Sequence, residues 1–265
     1  DCSLLKQIVI PSNVEYIKEY AFNRCLNLEK LIFEDNSKLI SIEDYAFCEC
    51  KKLVHVSIPD SVQFIKIGAF YCCSNLKYVD ISSDSKLSLI GEAAFYSTSI
   101  EKIYIPSNVE EIGLSAFPSV EYMKNISISP LNKNFSIIDD KYFVTKTNKE
   151  ENVFDHIISS DKDIEEANIP SYIKKIRTYA FNERFNLKKI TISKDSQLQS
   201  IGNFSFYKTL IDEIYIPSNV KEIGLGCFLC ASNLKKITIS DDNKNFSFID
   251  DKVLAGKIDN NSEFC

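Results

Sequence analysis

The sequence predicts an α/β solenoid, with a parallel sheet on one face and short helical or 3-10 turns on the other. Three features of the chain predict it: a recurring phenylalanine, usually preceded by alanine, an isoleucine five residues before it, and an apolar strand-like phrase ahead of both. Repeats of this length form stacks in which each coil buries its apolar edge against its neighbours. The recurring phenylalanines are Phe22, Phe47, Phe70, Phe95, Phe117, Phe181, Phe206 and Phe228.

Each coil is expected to begin with a strand. Because side chains alternate along a strand, Ile8 and Ile10 should point inward while Gln7 and Val9 point outward. The strand phrase reads apolar-x-x-apolar-x-apolar. It starts at Leu5, Leu28, Leu53, Leu76, Ile100, Met123, Ile164, Leu187, Ile211 and Leu234.

Two kinds of coil alternate after the strand. One leaves through Ile-Pro, as at Ile10-Pro11, where proline ends the strand and presets a turn. The other has a longer polar loop, as in residues 34–38. The segment around each Ala-Phe step is too short for a free-standing helix. We therefore expect a single helical or 3-10 turn there, held in place by its phenylalanine.

One coil exchanges its helical turn for a hairpin. Between residues 134 and 159, alternating apolar runs are separated by Asp139-Asp140 and by a charged turn, a pattern that predicts a β-meander. The segment Asn-Lys-Asn-Phe-Ser recurs 111 residues later. We therefore expect a super-unit repeated at 111 residues, with a second hairpin truncated by the end of the chain. Residues 1–265 are interpreted as a single solenoid of about ten coils, truncated at both ends.

The composition and motifs exclude several classes of function. A net charge of −6 disfavours a nucleic-acid partner, which selects basic surfaces. No run of about 18 apolar residues occurs, so we expect no membrane contact by this segment. His55 and His156 belong to no catalytic or metal motif. Asp139-Asp140 indicates a turn, because a calcium loop requires further oxygen ligands at set intervals. The chain is thus expected to be no enzyme and to need no cofactor or metal.

The phrase Leu-x-x-Ile-x-Ile-Pro-x-x-Val-x-x-Ile-x-x-x-Ala-Phe-x-x-Cys, nearly complete at residues 5–25 and 53–73, resembles the BspA-like leucine-rich repeats. That resemblance implies a right-handed leucine-rich-repeat superhelix and a protein of the cell surface or secreted, as in mucosal bacteria and parasitic protists. It also implies protein–protein binding, namely adhesion or recognition of a host-cell or extracellular-matrix protein. The family supplies no catalytic residues. The alternative is an intracellular, cytoplasmic leucine-rich-repeat scaffold.

The nine cysteines allow three interpretations. Cys2, Cys25, Cys50 and Cys73 recur in repeat register, so they should stack in neighbouring coils, within reach of disulfide formation. They equally fit a column of small buried thiols. A metal site is the third interpretation, but a lone C-x-x-C at Cys227 lacks the partner pair that a zinc site needs. The odd total and the lack of a regular pairing scheme favour buried thiols.

The outward strand positions are the candidate binding site. Tyrosine is enriched at protein interfaces, although it is also simply a good strand former. The protruding meander is the alternative binding face. The candidate residues of a concave stripe are His55, Tyr78, Asp80, Lys102, Tyr104, Glu213 and Tyr215.

Overall fold

The structure, a computed structural model, describes residues 2–117, 125–148, 153–249 and 253–256. Its Cα positions form two compact units, Asp1–Ser136 and Ile137–Cys265. We call them unit 1 and unit 2. That the two units continue one solenoid stays a prediction.

Unit 1 is built from short parallel strands in two columns. In chain order they are β1 (Gln7–Ile10), β2 (Tyr16–Ile17), β3 (Lys30–Phe33), β4 (Ser41–Ile42), β5 (His55–Ser57), β6 (Phe64–Ile65), β7 (Tyr78–Asp80), β8 (Leu89–Ile90), β9 (Lys102–Ile105), β10 (Glu111–Ile112) and β11 (Asn125–Ile128). The odd-numbered strands pair as β1–β3 and as β5–β7–β9–β11, and the even-numbered strands form one sheet from β2 to β10. A further strand, β12 (Phe135–Ile138), crosses the boundary of the two units.

The first column confirms the strand phrases and their alternation. In β1, Gln7 and Val9 are exposed, Ile8 is half-buried and Ile10 is buried. In β5, Val56 is buried between exposed neighbours. The phrase that starts at Met123 begins outside the described residues. The second column was not predicted, because two-residue strands are too short to show an alternation of their own.

Unit 2 repeats the two-column arrangement after a hairpin. Its strands are β13 (Tyr142–Thr145), β14 (His156–Ser160), β15 (Glu166–Ile169), β16 (Lys175–Ile176), β17 (Lys189–Ile192), β18 (Ser200–Ile201), β19 (Glu213–Ile216), β20 (Glu222–Ile223), β21 (Lys236–Ile239), β22 (Phe246–Ile249) and β23 (Val253–Gly256). The parallel pairs β15–β17 and β19–β21 form the first column, and β14, β16, β18 and β20 form the second.

Antiparallel strands lie in the segment where the β-meander is predicted, residues 134–159. Strands β13 and β14 pair antiparallel, and β14 then pairs parallel with β16, which connects the hairpin to the next coil. Asp139 and Asp140 both have positive φ, and Lys141 N donates to Ile138 O at 3.0 Å. Two positive φ values in a two-residue turn are typical of type I′, as the turn interpretation requires. Strands β22 and β23 also pair antiparallel; the second Asp-Asp pair, at Asp250, lies outside the described residues.

The predicted helical or 3-10 turns are wrong: the described residues around each Ala-Phe step form successive reverse turns. Tyr20 and Arg24 have φ of 56° and 59°, values that a right-handed helix does not contain. Phe22 N donates to Ala46 O of the next coil at 2.8 Å, whereas Asn23 N bonds back to Tyr20 O at 3.1 Å. Alternate amides thus bond between coils, and a helix would keep those amides within its own segment.

The phenylalanines form the spine of both cores. Phe47, Phe70, Phe95, Phe181 and Phe206 are fully buried. Successive rings stack at 5.2 to 5.4 Å in unit 1, from Phe22 to Phe95. In unit 2 the spacing is 5.1 Å between Phe181 and Phe206 and 5.9 Å between Phe206 and Phe228. Each of these coils therefore seals its interior against the next with one aromatic ring.

A buried asparagine connects two of the Ile-Pro coils, those of Pro106 and Pro217, to the segment that precedes a hairpin. Asn132 Nδ2 donates to Pro106 O at 2.8 Å and to Val109 O at 3.1 Å, and its Oδ1 accepts from two following amides. Asn243, 111 residues later, makes the same bonds to Pro217 O and Val220 O. The repeated sequence segment thus has a repeated structural role.

The Phe70→Ala variant should lose about 3–5 kcal/mol of unfolding free energy, because the truncation leaves a cavity within the stacked column. Urea denaturation followed by circular dichroism measures it. The matched control is Tyr20→Ala, since Tyr20 also stacks on a ring of the next coil but is 55% exposed; it should lose no more than about 1.5 kcal/mol. Equal, small losses in both variants would contradict a buried phenylalanine spine.

Candidate functional site

The candidate residues of unit 1 lie together on the exposed side of the first strand column, which we call the outward strand face. His55 pairs in register with Tyr78, and Tyr78 with Lys102. Asp80 lies two residues after Tyr78 on β7, and Tyr104 two residues after Lys102 on β9. Four of the five are exposed, Tyr78 by 57%, and Tyr104 is half-buried.

A polar cluster occupies the middle of this face. His55 Nε2 lies 2.6 Å from Asp80 Oδ2. Ser57, which sequence reasoning did not single out, contacts both: its Oγ lies 3.4 Å from His55 Nε2 and donates to Asp80 Oδ2 at 3.3 Å. The side chains of His55 and Asp80 are 51% and 69% exposed. A polar contact so exposed contributes little to stability, and the exposure leaves its groups available to a partner.

The His55 cluster lacks the geometry of a nucleophilic triad. In such a triad the carboxylate and the hydroxyl occupy opposite ring nitrogens of the histidine. Here Asp80 and Ser57 both approach Nε2, and the Ser57 hydroxyl donates directly to the carboxylate. The arrangement offers hydrogen bonds to a ligand and positions no nucleophile.

The remaining candidates, Glu213 and Tyr215, lie on β19 of unit 2. They pair in register with Lys236 and Thr238 of β21. Glu213 is exposed and Tyr215 is half-buried. A single stripe that joins them with the residues of unit 1 stays a prediction.

The hairpin of unit 2 is held by a buried carboxylate. Asp155 accepts hydrogen bonds from Thr147 N at 2.7 Å and Thr147 Oγ1 at 2.8 Å, and it pairs with Lys174 Nζ at 3.0 Å. Burial by itself would raise the pKa of Asp155, but the bonds from Lys174 and Thr147 outweigh it and the net pKa is lowered. Burial lowers the pKa of His156, whose Nε2 lies 2.8 Å from Thr147 Oγ1.

Arg184 is a buried residue that sequence reasoning missed. It stands three residues after Phe181, the position that Cys25, Cys50 and Cys73 occupy after their own phenylalanines. Its guanidinium donates to Ser160 O at 2.6 Å and to Asp161 O at 3.1 Å, at the end of β14. Burial lowers its pKa to about 9, so it remains charged at pH 7. Because the equivalent positions of other coils hold small residues, an arginine at this position was the signal that the sequence offered.

The cysteines of unit 1 that follow the spine are buried thiols. Cys50 Sγ donates to Phe22 O at 3.3 Å and Cys73 Sγ to Phe47 O at 3.0 Å. Burial raises the pKa of Cys73 well above its usual value and that of Cys48 to about 11. Neutral thiols of this kind are poor nucleophiles and metal ligands. Cys2, in contrast to the rest of its column, is exposed, and all eight described cysteines are free.

Two features of the described residues bear on other functions. No group of three or more His, Cys, Asp or Glu side chains that would hold a metal ion occurs in the described part of the chain. Within the same residues, no helix is long and apolar enough to cross a bilayer.

The repeat pattern of the BspA type Leucine rich repeat region matches this chain in six copies, over residues 1–124, 40–164 and 152–259. The chain therefore belongs to the BspA-type leucine-rich-repeat family and is a solenoid repeat protein. This confirms the family resemblance seen in the sequence. Leucine-rich repeats of this family are in general scaffolds without catalytic activity. No curated protein sequence matches the chain.

Solved structures of bacterial leucine-rich proteins share the fold. The pneumococcal vaccine antigen PcpA is similar with a TM-score of 0.72 and 25% identity, over 89% of this chain and 62% of that one. This chain thus spans less than two thirds of that structure. A leucine rich cell surface protein of Faecalibacterium prausnitzii has a TM-score of 0.60 and 22% identity, over 89% and 79% of the two chains. A leucine-rich repeat protein of Bacteroides ovatus has 0.60 and 21%, over 90% and 70%.

Acidification should weaken unit 2 through Asp155. Its folded pKa is lowered, so the stabilisation is fully present above the unfolded value of about 3.9 and is lost as the pH falls through the folded pKa. We expect Asp155→Asn to lose about 1–3 kcal/mol at pH 7 and to show a flatter decline of stability below pH 4. Urea denaturation at a series of pH values measures both.

The control for this experiment is Asp195→Asn, which removes an exposed carboxylate of the same unit. It should leave both the stability at pH 7 and the acid decline unchanged. An Asp155→Asn variant with the same acid profile as the unsubstituted protein would contradict the role of this carboxylate.

Proposed function

We propose that this chain binds a protein ligand through its outward strand face, without catalysis, in adhesion to or recognition of a host-cell or matrix protein. The observation that carries the proposal is the exposure of Tyr78 beside His55 and Lys102 in consecutive strands. A large aromatic side chain held in solvent by a rigid strand loses little conformational entropy on binding. The Glu213 and Tyr215 positions of unit 2 belong to the same proposal.

The apolar neighbours on the face support protein recognition. Val9 and Ile32 pair in register and are 41% and 42% exposed, on the same side as Tyr78. Interfaces combine apolar and aromatic contacts with polar groups that fix the orientation of the partner. The His55, Ser57 and Asp80 cluster supplies such polar groups.

A place at the cell surface, or secretion, is supported by similarity. One similar structure is described as a vaccine antigen and another as a cell surface protein. The family is BspA-type, and leucine-rich-repeat domains typically bind proteins. We therefore propose a cell-surface adhesin or a secreted recognition protein.

The Tyr78→Ala/Tyr104→Ala variant should bind at least about tenfold more weakly to immobilised extracellular-matrix proteins or to epithelial cell monolayers than the unsubstituted chain. The reason is that truncation of a hot-spot residue costs about 2 kcal/mol or more, and tyrosine is enriched among hot spots. Biolayer interferometry or the fluorescence of bound, labelled protein measures the change, and thermal denaturation should differ little.

The matched control is Tyr16→Ala/Tyr172→Ala, which removes two exposed tyrosines away from the face and should bind as the unsubstituted chain does. Equal binding of all three proteins, or equal loss in both variants, would contradict the assignment. A collapse of stability in the Tyr78→Ala/Tyr104→Ala variant would instead mean that these side chains support the core.

A second candidate function, an intracellular scaffold, is favoured by one observation: the eight described cysteines are free thiols. Free thiols are typical of reducing compartments. Thiol titration of the denatured protein, prepared from its native host with free thiols blocked at lysis, distinguishes the two. The surface function predicts fewer than nine reactive thiols, because some cysteines would be oxidised; nine reactive thiols would favour the scaffold.

A further inference from the structure

The outward strand face of unit 2 carries charged doublets of alternating sign. Each first-column strand is preceded by one charged residue and begins with another of the same sign. The doublets, in coil order, are Glu165-Glu166, Lys188-Lys189, Asp212-Glu213 and Lys235-Lys236. In register, Glu166 lies beside Lys189 and Glu213 beside Lys236. We call this set the charge ladder. At about 4.8 Å between strands, it extends over roughly 14 Å.

The side chains of the charge ladder are available to a partner. All eight residues are exposed. None of the recorded ion pairs of the described residues involves any of them, although opposite charges stand on adjacent strands. Lys141 Nζ contacts the backbone oxygen of Glu166 at 3.5 Å. Among the described residues, the Glu166 carboxylate itself forms no ion pair.

The order of the charges makes the ladder complementary to itself. Read in reverse, acid–base–acid–base becomes base–acid–base–acid. A two-fold axis that runs along the strands, between β17 and β19, reverses the order of coils in the second copy. Glu166 then opposes Lys236 of the other copy, and Lys189 opposes Glu213. The alternative axis, along the stack of coils, places like charges opposite one another.

The same rotation also matches the neighbouring row. An axis along the strands keeps each strand position opposite its equivalent, so the charged rows meet each other and the uncharged rows meet each other. The uncharged row consists of Asn168, Thr191, Tyr215 and Thr238. Thr191 then opposes Tyr215 of the other copy, and Asn168 opposes Thr238. Hydroxyl and amide groups meet without an unpaired charge among them.

We propose that unit 2 pairs face to face with a second copy of this chain through the charge ladder, with the coils of the two copies in opposite order. Isologous contacts of this kind are the commonest in homo-oligomers. The equivalent row of unit 1 reads Gln7, Lys30, His55, Tyr78, Lys102 and Asn125, in which the charges neither alternate in sign nor complement one another when the order is reversed. The proposal rests on the proposed function only in assigning protein binding to the outward strand face.

The pairing is expected to be weak and sensitive to salt. A patch four strands tall is smaller than the roughly 800 Å² that each partner buries in a standard interface, so we expect a dissociation constant of about 10 µM to 1 mM. Exposed charge pairs are screened by salt. The dissociation constant should rise at least about tenfold between about 50 mM and 500 mM sodium chloride.

A charge-swap experiment tests the proposal with two variants of the whole chain. In the all-lysine variant, Glu165, Glu166, Asp212 and Glu213 are each changed to Lys. In the all-glutamate variant, Lys188, Lys189, Lys235 and Lys236 are each changed to Glu. Sedimentation equilibrium at low salt should show a dimer of the unsubstituted chain, monomers of each variant alone, and a one-to-one heterodimer when the two variants are mixed.

A third variant controls for net charge. It changes four exposed acids of unit 2 that lie outside the ladder to Lys: Asp195, Glu222, Asp241 and Asp242. It alters the net charge as much as the all-lysine variant does and should dimerise as the unsubstituted chain does. Both variants change the net charge from −6 to +2, so loss of dimerisation in this control would overturn the proposal, because a change of charge outside the ladder would then be enough to explain the all-lysine result.

Two further outcomes would overturn it. One is an unsubstituted chain that stays monomeric up to roughly 1 mM; if its variants also melt at lower temperature, the ladder serves contacts within one chain. The other is an all-lysine variant that dimerises as well as the unsubstituted chain. The assay contains no other ligand, so its failure leaves the binding test on Tyr78 and Tyr104 intact, and failure of that test leaves the dimer intact.

Discussion

Backbone hydrogen bonds from one coil to the next are the constraint on which the rest of the structure depends. Phe47 N bonds to Ala69 O, and Phe70 N to Ala94 O, each at 2.8 Å. These bonds fix the separation of neighbouring coils, so equivalent positions fall into columns. Inward side chains of equivalent positions must then pack on one another at the separation of the coils. Phenylalanine rings meet this requirement by stacking. An outward column places its side chains in regular rows, and the proposed binding face consists of such rows.

The residue type of a column changes where a buried polar group needs a hydrogen-bond partner. Arg184 replaces the small residue of its column and bonds to the carbonyls at the end of β14, where the hairpin joins the regular coils. Asp155 holds the same hairpin to Lys174 of the following coil. A buried charge is costly unless an opposite charge or hydrogen bonds compensate it. Asp155 has both, and the Arg184 guanidinium is compensated by hydrogen bonds to backbone carbonyls and serine hydroxyls. The hairpin is therefore tied to the stack by charged side chains, whereas the regular coils are tied by apolar packing.

The sequence predicted what depends on periodicity and missed what depends on distant partners. The spacing of Phe70 and Phe95 predicted the spine, and the alternation in β1 predicted which residues face outward. The turns around Tyr20 and Arg24 could not be told from helical turns, because their amides bond to a coil more than twenty residues away. His55 and Asp80 were named from the sequence, but Ser57 was not singled out, because its contacts with these two residues depend on strand register. The charge ladder emerges only once the coils are aligned, because its members are more than twenty residues apart.

The coil-to-coil bonding pattern can be measured directly by NMR, through scalar couplings across backbone hydrogen bonds. The most informative amide is that of Phe70. If the account is correct, its nitrogen couples to the carbonyl carbon of Ala94 in the next coil, as the 2.8 Å contact requires. A coupling to Lys66 within its own segment would instead indicate a helical turn. That result would contradict the stacking of coils from which the spine and the outward rows both follow.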